Sequence, residues 1–332
     1  MRGLQWSYGI TTTAKRRDNL LPRTLASLKA AGFPEPRLFV DGDHHAGEWV
    51  KRFGTNLTLR HPNLRTYGTW VLALAELFIR SPQADRFLLC QDDFVTYRNL
   101  RQYLERIAYQ PQRYYNLYTF PMNVDHVTKT NGGTLPGNGW HESNQRGKGA
   151  VALMFDREAV MTLLTSQHMV SRPLHAGRGW RNVDGGVVDA LKKAGWREMI
   201  HLPSLVQHTG IVSSMGNKQQ PLACTFWGED FDALDLLHGS TVNPLTVGCD
   251  AYNHLPEASR VQCLAAWQQE LDAIRRAIVD DQQRLDRAST PTERRRYSDA
   301  IADYQDRLRR TEVNNPPYYT QETLRIIGEG AR

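Results

Sequence analysis

Over the first 120 residues, apolar positions switch repeatedly between the two-residue period of a strand and the spacing of a helix. Trp6-Ser7-Tyr8-Gly9-Ile10-Thr11 predicts a first strand. Leu20, Leu21, Leu25 and Leu28 recur at helical spacing, and Gly32 stops that helix after Ala31. Arg37 to Val40 predicts a second strand and Leu57-Thr58-Leu59 a short third one. A helix follows over Thr69 to Ile79, then a strand over Phe87 to Cys90, a helix over Arg98 to Ile107 and a strand over Tyr115 to Phe120. The pattern resumes with a strand over Ala150 to Phe155 and a helix over Arg157 to Ser166. Strands that alternate with helices in this way predict an α/β fold, with a largely parallel or mixed sheet and helices on both faces. In such sheets ligands sit beyond the carboxyl ends of the strands. Thr11-Thr12-Thr13, Asp41 and Asp92-Asp93 all fall at such ends.

Two stretches break the pattern. Residues 123–149 are polar and turn-rich, with Asn131-Gly132-Gly133 and Pro136-Gly137-Asn138-Gly139. A loop of that length is commonly a lid or a binding loop. From Glu257 the strand-like runs end. Val261 to Leu285 and Thr292 to Leu308 are rich in Arg, Gln, Asp, Glu and Ala, with Ala288-Ser289-Thr290-Pro291 between them. Leu264, Trp267, Leu271, Ile274, Ile278 and Leu285 fall on one helical stripe. The expected organisation is an α/β domain over residues 1–250, a helical hairpin appendage over 257–312 that offers a homo-oligomer contact, and a tail over 313–332.

Composition narrows the class. The 332 residues are 40% hydrophobic and 23% charged, as in a soluble globular protein able to bury a full core. No apolar run approaches the roughly 20 residues needed to span a bilayer, and the N-terminus has no signal-peptide core. No membrane partner is therefore expected, and the expected setting is the cytoplasm. Cys90, Cys224, Cys249 and Cys263 form neither a CxxC pair nor a disulfide framework. The net charge of +6 lies entirely within residues 1–256, while basic and acidic residues balance over 257–312. This basic excess suits a diphosphate ligand or an anionic acceptor such as DNA, and equally a mildly basic surface with no ligand.

Three candidates for chemistry stand out. Gln91-Asp92-Asp93 ends an apolar strand, where carboxylate oxygens can anchor Mg²⁺ or Mn²⁺; a solvated turn is the alternative. Asp184 opens a helical stretch in which Val187 and Leu191 share a face, and Gly195 stops it eleven positions after the acid. Asp184 is either a general base or a helix cap. His208 follows the strand-like Met199-Ile200-His201-Leu202 and Leu205-Val206, and is either a metal ligand or a structural histidine. Thr11, Thr12, Thr13, Arg16 and Asp18 form a polar cluster after the first strand, which an ordinary turn would also explain. Asp41-Gly42-Asp43 repeats that arrangement after the second strand, and Gly42 permits close backbone approach. Trp140 and His141 in the long polar loop could stack on a sugar or a base, or simply anchor the loop.

The order of these motifs resembles the GT-A class of nucleotide-sugar-dependent glycosyltransferases. Gln207-His208, Gly210, Ser213-Ser214 and Lys218, with Asp230-Phe231 beyond, are similar to the closing segment of the N-acetylglucosaminyltransferase IV family. Gly149 to Ala159 is similar to the largely structural segment that follows the acceptor loop in GT-A enzymes. The resemblance covers roughly residues 5–235 and implies a metal-dependent, inverting transfer from a nucleotide sugar, with a UDP-sugar as the expected donor. It implies Asp93 and His208 as ligands of Mn²⁺ or Mg²⁺, and Asp184 as the base. Thr11, Thr12, Thr13, Arg16, Asp18, Asp41, Asp92, Ser213, Ser214 and Lys218 would hold the donor. Trp140 and His141 would meet the acceptor, whose hydroxyl belongs to a glycan or to a hydroxymethylated DNA base. The commonest form of the base motif has two adjacent acids, and here Val183 replaces the first.

Two rival readings remain. A sugar-nucleotide pyrophosphorylase would need a Gly-rich loop after the first strand, which Gly9-Ile10-Thr11-Thr12-Thr13 does not supply. A non-catalytic scaffold would use the sheet without turning over a donor.

Overall fold

The computed structural model describes residues 3–170, 183–209, 223, 225–238, 272 and 275–313. The chain divides into two compact units, Met1–Pro244 and Leu245–Arg332. The first carries a mixed eight-stranded sheet flanked by helices, the α/β, Rossmann-related class that the alternating pattern predicts.

In chain order the elements of that unit are β1 (Trp6–Thr13), α1 (Leu20–Ala30), β2 (Arg37–Asp41), α2 (Ala46–Phe53), β3 (Leu57–Arg60), α3 (Arg65–Arg80), β4 (Arg86–Gln91), β5 (Phe94–Thr96), α4 (Leu100–Arg106), β6 (Arg113–Asn116), α5 (Pro121–Thr130), β7 (Gly139–Glu142), β8 (Ala152–Asp156), α6 (Arg157–Thr165), α7 (Gln167–Val170), α8 (Val183–Lys193), β9 (Arg197–Leu202) and β10 (Val206–His208). The large sheet has the order β3-β2-β1-β4-β8-β6-β9-β7. β1 to β4 run parallel, β8 is antiparallel to both β4 and β6, β9 is parallel to β6, and β7 closes the far edge antiparallel to β9. β5 and β10 form a separate two-stranded ribbon in which Phe94 pairs with His208.

Burial on both faces explains why the central strands read as apolar runs. In β4, Phe87 and Leu89 pack with Trp70, Leu74, Phe155, Leu163, Val187 and Leu191 beneath α3, α6 and α8. Leu88 and Cys90, pointing the other way, are equally buried. Each such large apolar side chain contributes on the order of 1.5–3 kcal/mol when fully buried. No helix among the described residues is long and apolar enough to cross a membrane.

Several elements differ from the pattern-based expectation. The threonines at 11–13 belong to β1 rather than to a following loop, because β-branched side chains suit a pleated strand. The strand expected over Tyr115–Phe120 is β6, which ends at Asn116; Pro121 then starts α5, where its fixed φ and missing N–H suit a first helical turn. The long loop expected over 123–149 contains most of α5 and the edge strand β7. α2 was not legible in the pattern, since Trp49 is its one buried residue.

In the second unit, residues 275–287 are helical, and a helix spans Pro291–Val313. Its start is a capping box. Glu293 N–H donates to Thr290 Oγ1 at 3.2 Å, and Thr290 N–H donates back to Glu293 Oε2 at 3.2 Å. Leu264, Trp267, Leu271 and Ile274 of the expected stripe, and the tail from residue 314, lie outside the described residues.

Candidate functional site

The carboxyl ends of β1 and β4 bring five of the sequence candidates together. Thr11 pairs with Gln91 across the two strands, so Thr12 and Asp92 extend over the same edge. Thr12 Oγ1 donates to Asp92 Oδ2 at 2.6 Å. One residue on, Asp93 Oδ2 lies 3.3 Å from Arg16 Nη2 and 3.3 Å from His208 Nε2. The backbone around this pair is fixed as well, since Thr209 N–H donates to Asp93 O at 2.7 Å. Thr12, Arg16, Asp92, Asp93 and His208 are all exposed by 9% or less.

Sequence reasoning missed what holds this cluster in place. The ribbon strand β5 has its backbone tied to α1 by two hydroxyls. Thr24 Oγ1 accepts from Phe94 N–H at 3.1 Å and lies 2.9 Å from the carbonyl oxygens of Asp92 and Phe94. Ser27 Oγ accepts from Thr96 N–H at 2.8 Å. The readable signal was two polar residues at 24 and 27 on the buried side of α1, between Leu21 and Leu28. They satisfy backbone groups that a three-residue strand would otherwise leave buried and unpaired.

Burial and charge set the two acids apart. Burial, together with the neighbouring Asp93 charge, pushes the Asp92 carboxyl up to about 6, against the pull of Thr12 and Arg16. Burial acts on Asp93 too, but His208 and Arg16 outweigh it and hold that carboxyl below its ordinary range. Asp93 thus keeps its charge to lower pH than Asp92, and its Oδ1 is buried with no hydrogen-bond partner among the described residues. A buried acceptor left unpaired costs about 1–3 kcal/mol, more when charged. A carboxylate with one oxygen in that state and an imidazole nitrogen 3.3 Å from the other fits a divalent cation.

Asp184 sits in the first turn of α8, on the same edge of the sheet. Its Oδ2 accepts from Gly149 N–H at 2.8 Å and its Oδ1 from Gly185 N–H at 3.0 Å. Gly149 lies two residues before Val151, whose carbonyl accepts from Gln91 N–H at 2.8 Å. The chain from Asp92 to Asp184 therefore runs through the start of β8. Burial pushes the Asp184 carboxyl up, while Gly149, Gly185 and Lys148 favour its ionised form. Gly149 has a φ of +77°, and a Cβ there would fall 2.4 Å from the Tyr118 ring.

The other candidates are placed differently. Asp41 is buried at the end of β2, where its Oδ1 accepts from Leu64 N–H at 2.7 Å. Asp18 is exposed and paired with Arg17 and Arg52, and Arg17 also pairs with Glu48, which binds the β1–α1 turn to α2. Trp140 and His141 lie on β7, with three strands between it and β4, about 19 Å away at ordinary strand spacing. The Trp140 ring packs edge-on against Tyr115 at 4.5 Å and His201 at 4.9 Å. His141 lines an open groove with His126, Thr130, Asn131 and Glu142. Ser213, Ser214 and Lys218 lie outside the described residues.

No protein-family model matches the chain, and no curated protein matches it. Similar solved structures include a Bacillus anthracis protein described as a glucose-1-phosphate thymidylyltransferase, at 11% identity over 63% of this chain and 91% of that one, with a TM-score of 0.35. A mannose-1-phosphate geranyltransferase from Thermus thermophilus is 15% identical over 60% of this chain and 74% of that one, with a TM-score of 0.35. The galactosyltransferase LgtC, solved with donor and acceptor sugar analogues, is 13% identical over 76% of this chain and 99% of that one, with a TM-score of 0.36.

Proposed function

We propose that this chain is a metal-dependent, inverting glycosyltransferase of the GT-A type that moves a sugar from a nucleotide-sugar donor, a UDP-sugar, to an acceptor hydroxyl. The observation that carries the reading is Asp93, whose buried Oδ1 has no donor among the described residues and whose Oδ2 lies 3.3 Å from His208 Nε2, at the carboxyl edge of parallel strands. Asp93 and His208 would hold Mn²⁺ or Mg²⁺. Such an ion supplies charge stabilisation for a departing diphosphate.

The remaining roles belong to the chain's own side chains. Asp92, fixed by Thr12, faces the donor beside Asp93. Arg16 contributes a fixed positive charge toward the diphosphate. Asp184, pinned by Gly149, takes the proton of the acceptor hydroxyl. The acceptor oxygen forms its bond to the anomeric carbon as the bond from that carbon to the phosphate oxygen breaks. The diphosphate leaves with the electron pair, and direct displacement inverts the centre.

The test is thermal shift and calorimetry with a panel of nucleotide sugars, with and without Mn²⁺. A UDP-sugar should raise the melting temperature only in the presence of the metal, because a ligand that binds the folded state stabilises it. An equal shift without metal, or an undiminished metal-dependent shift in Asp93→Asn, would overturn the reading.

A further inference from the structure

A second group of metal-ligating side chains stands apart from Asp93. It lies just past the carboxyl end of β2, two strands from β4 and roughly 10 Å from it at ordinary strand spacing. Asp43, His44 and His45 each present one ligand atom there, and these atoms all lie within 4.8 Å of one another. The His44 and His45 rings are 4.1 Å apart, and His61 approaches His44 edge-on at 5.3 Å.

The carboxylate of this group is built in rather than loosely exposed. Asp43 is 5% exposed. Its Oδ2 accepts from the indole Nε1 of the buried Trp49 at 2.8 Å. Its Oδ1 accepts from His45 N–H at 2.9 Å and lies 2.9 Å from His45 Nδ1. The Trp49 hydrogen bond is the main reason the carboxyl sits far below its ordinary range. An ionised, immobilised carboxylate beneath two solvent-facing imidazoles is a preformed cradle. The ligand chemistry differs from that at Asp93. Imidazole-rich sets favour Zn²⁺, Ni²⁺ and Cu²⁺, whereas carboxylate and water favour Mg²⁺ and Mn²⁺.

We propose that Asp43, His44 and His45 bind a divalent transition-metal ion of the zinc class, which fixes the β2–α2 turn independently of the metal at Asp93. Calorimetry of the full chain with ZnCl₂ tests this, and Co²⁺ absorption reports the ligand geometry. One stoichiometric Zn²⁺ beyond any held at Asp93 and His208 is expected, with a raised melting temperature. Affinity should fall at least about tenfold in His44→Ala and in His45→Ala, since even indirect partners of metal ligands are worth that much. Asp43→Asn keeps the volume that Trp49 needs and should show the same loss if it folds. His208→Ala should leave the Zn²⁺ event intact. Absence of stoichiometric binding, binding that survives in both histidine variants, or binding lost in His208→Ala alone would each overturn the proposal.

Discussion

His208 Nε2 meets Asp93 Oδ2 at 3.3 Å across the ribbon that β10 forms with β5, in which His208 is the pairing partner of Phe94. Arg16 reaches the same oxygen from the β1–α1 turn. One carboxylate therefore gathers contacts from two distant parts of the chain. Asp93→Asn keeps the shape but leaves buried Arg16 without its counter-ion. We expect a loss of about 3 kcal/mol, the scale for removing one partner of a buried pair, along with loss of metal-dependent donor binding. Urea unfolding and calorimetry with donor and Mn²⁺ read the two effects separately.

Asp184→Asn separates base from cap. Asparagine can still accept the Gly149 N–H through its carbonyl but cannot take up the acceptor proton. Transfer should fall by about 10²–10⁴-fold in single-turnover assays at saturating donor, with melting little changed. Near-normal transfer in a folded variant would leave Asp184 as a clamp between α8 and the start of β8.

Glu198 gives a pH signature. Its side chain is 1% exposed, and burial pushes its carboxyl up to about 7, against hydrogen bonds from Ser143 and Asn116. The folded state therefore holds a proton that the unfolded state has released between roughly pH 4.5 and 7. Stability should decline as pH rises through that window, by roughly 3 kcal/mol in all. Glu198→Gln should lose that decline and melt higher than wild type at pH 8. Parallel slopes for the two proteins between pH 5 and 8 would contradict this.

Gly149→Ala probes the join between β8 and α8. The added methyl would press on the Tyr118 ring at 2.4 Å, in a backbone conformation that already disfavours it. Overpacking and the left-handed φ together should cost about 2–4 kcal/mol. Equilibrium denaturation measures it, and Asp184-dependent transfer should drop in the same variant because the Gly149 N–H moves.

What the sequence disclosed follows from burial. β4 and β8 are covered on both faces and announce themselves as Phe87-Leu88-Leu89-Cys90 and Ala152-Leu153-Met154-Phe155. The acids after β4 were visible because a strand ends there. α5 and β7 were not visible: α5 buries only Asn123 and Val127, and no residue of β7 is fully buried. β5 is three residues long, too short to show a period. Its anchors, Thr24 and Ser27, are hydroxyls inside an apolar helix face, and they make sense only once the strand they serve is located.

The ribbon carries a further consequence. Side chains along a strand alternate in direction, so a slip of one residue in β10 would turn His208 away and bring Gln207 to the place opposite Asp93. Gln207 is already committed to the other side, where its amide bonds both the N–H and the carbonyl of Ala223. The short connection from β9 to β10 is thus under a constraint of length as well as of identity, since the buried Ser204 hydroxyl in it accepts from Thr119 N–H and donates to the Val206 carbonyl. An insertion or deletion at 203–205 that shifted β10 by one residue would put an amide where the imidazole now stands beside Asp93. Natural variation in this connection should therefore take the form of substitutions and leave its length unchanged.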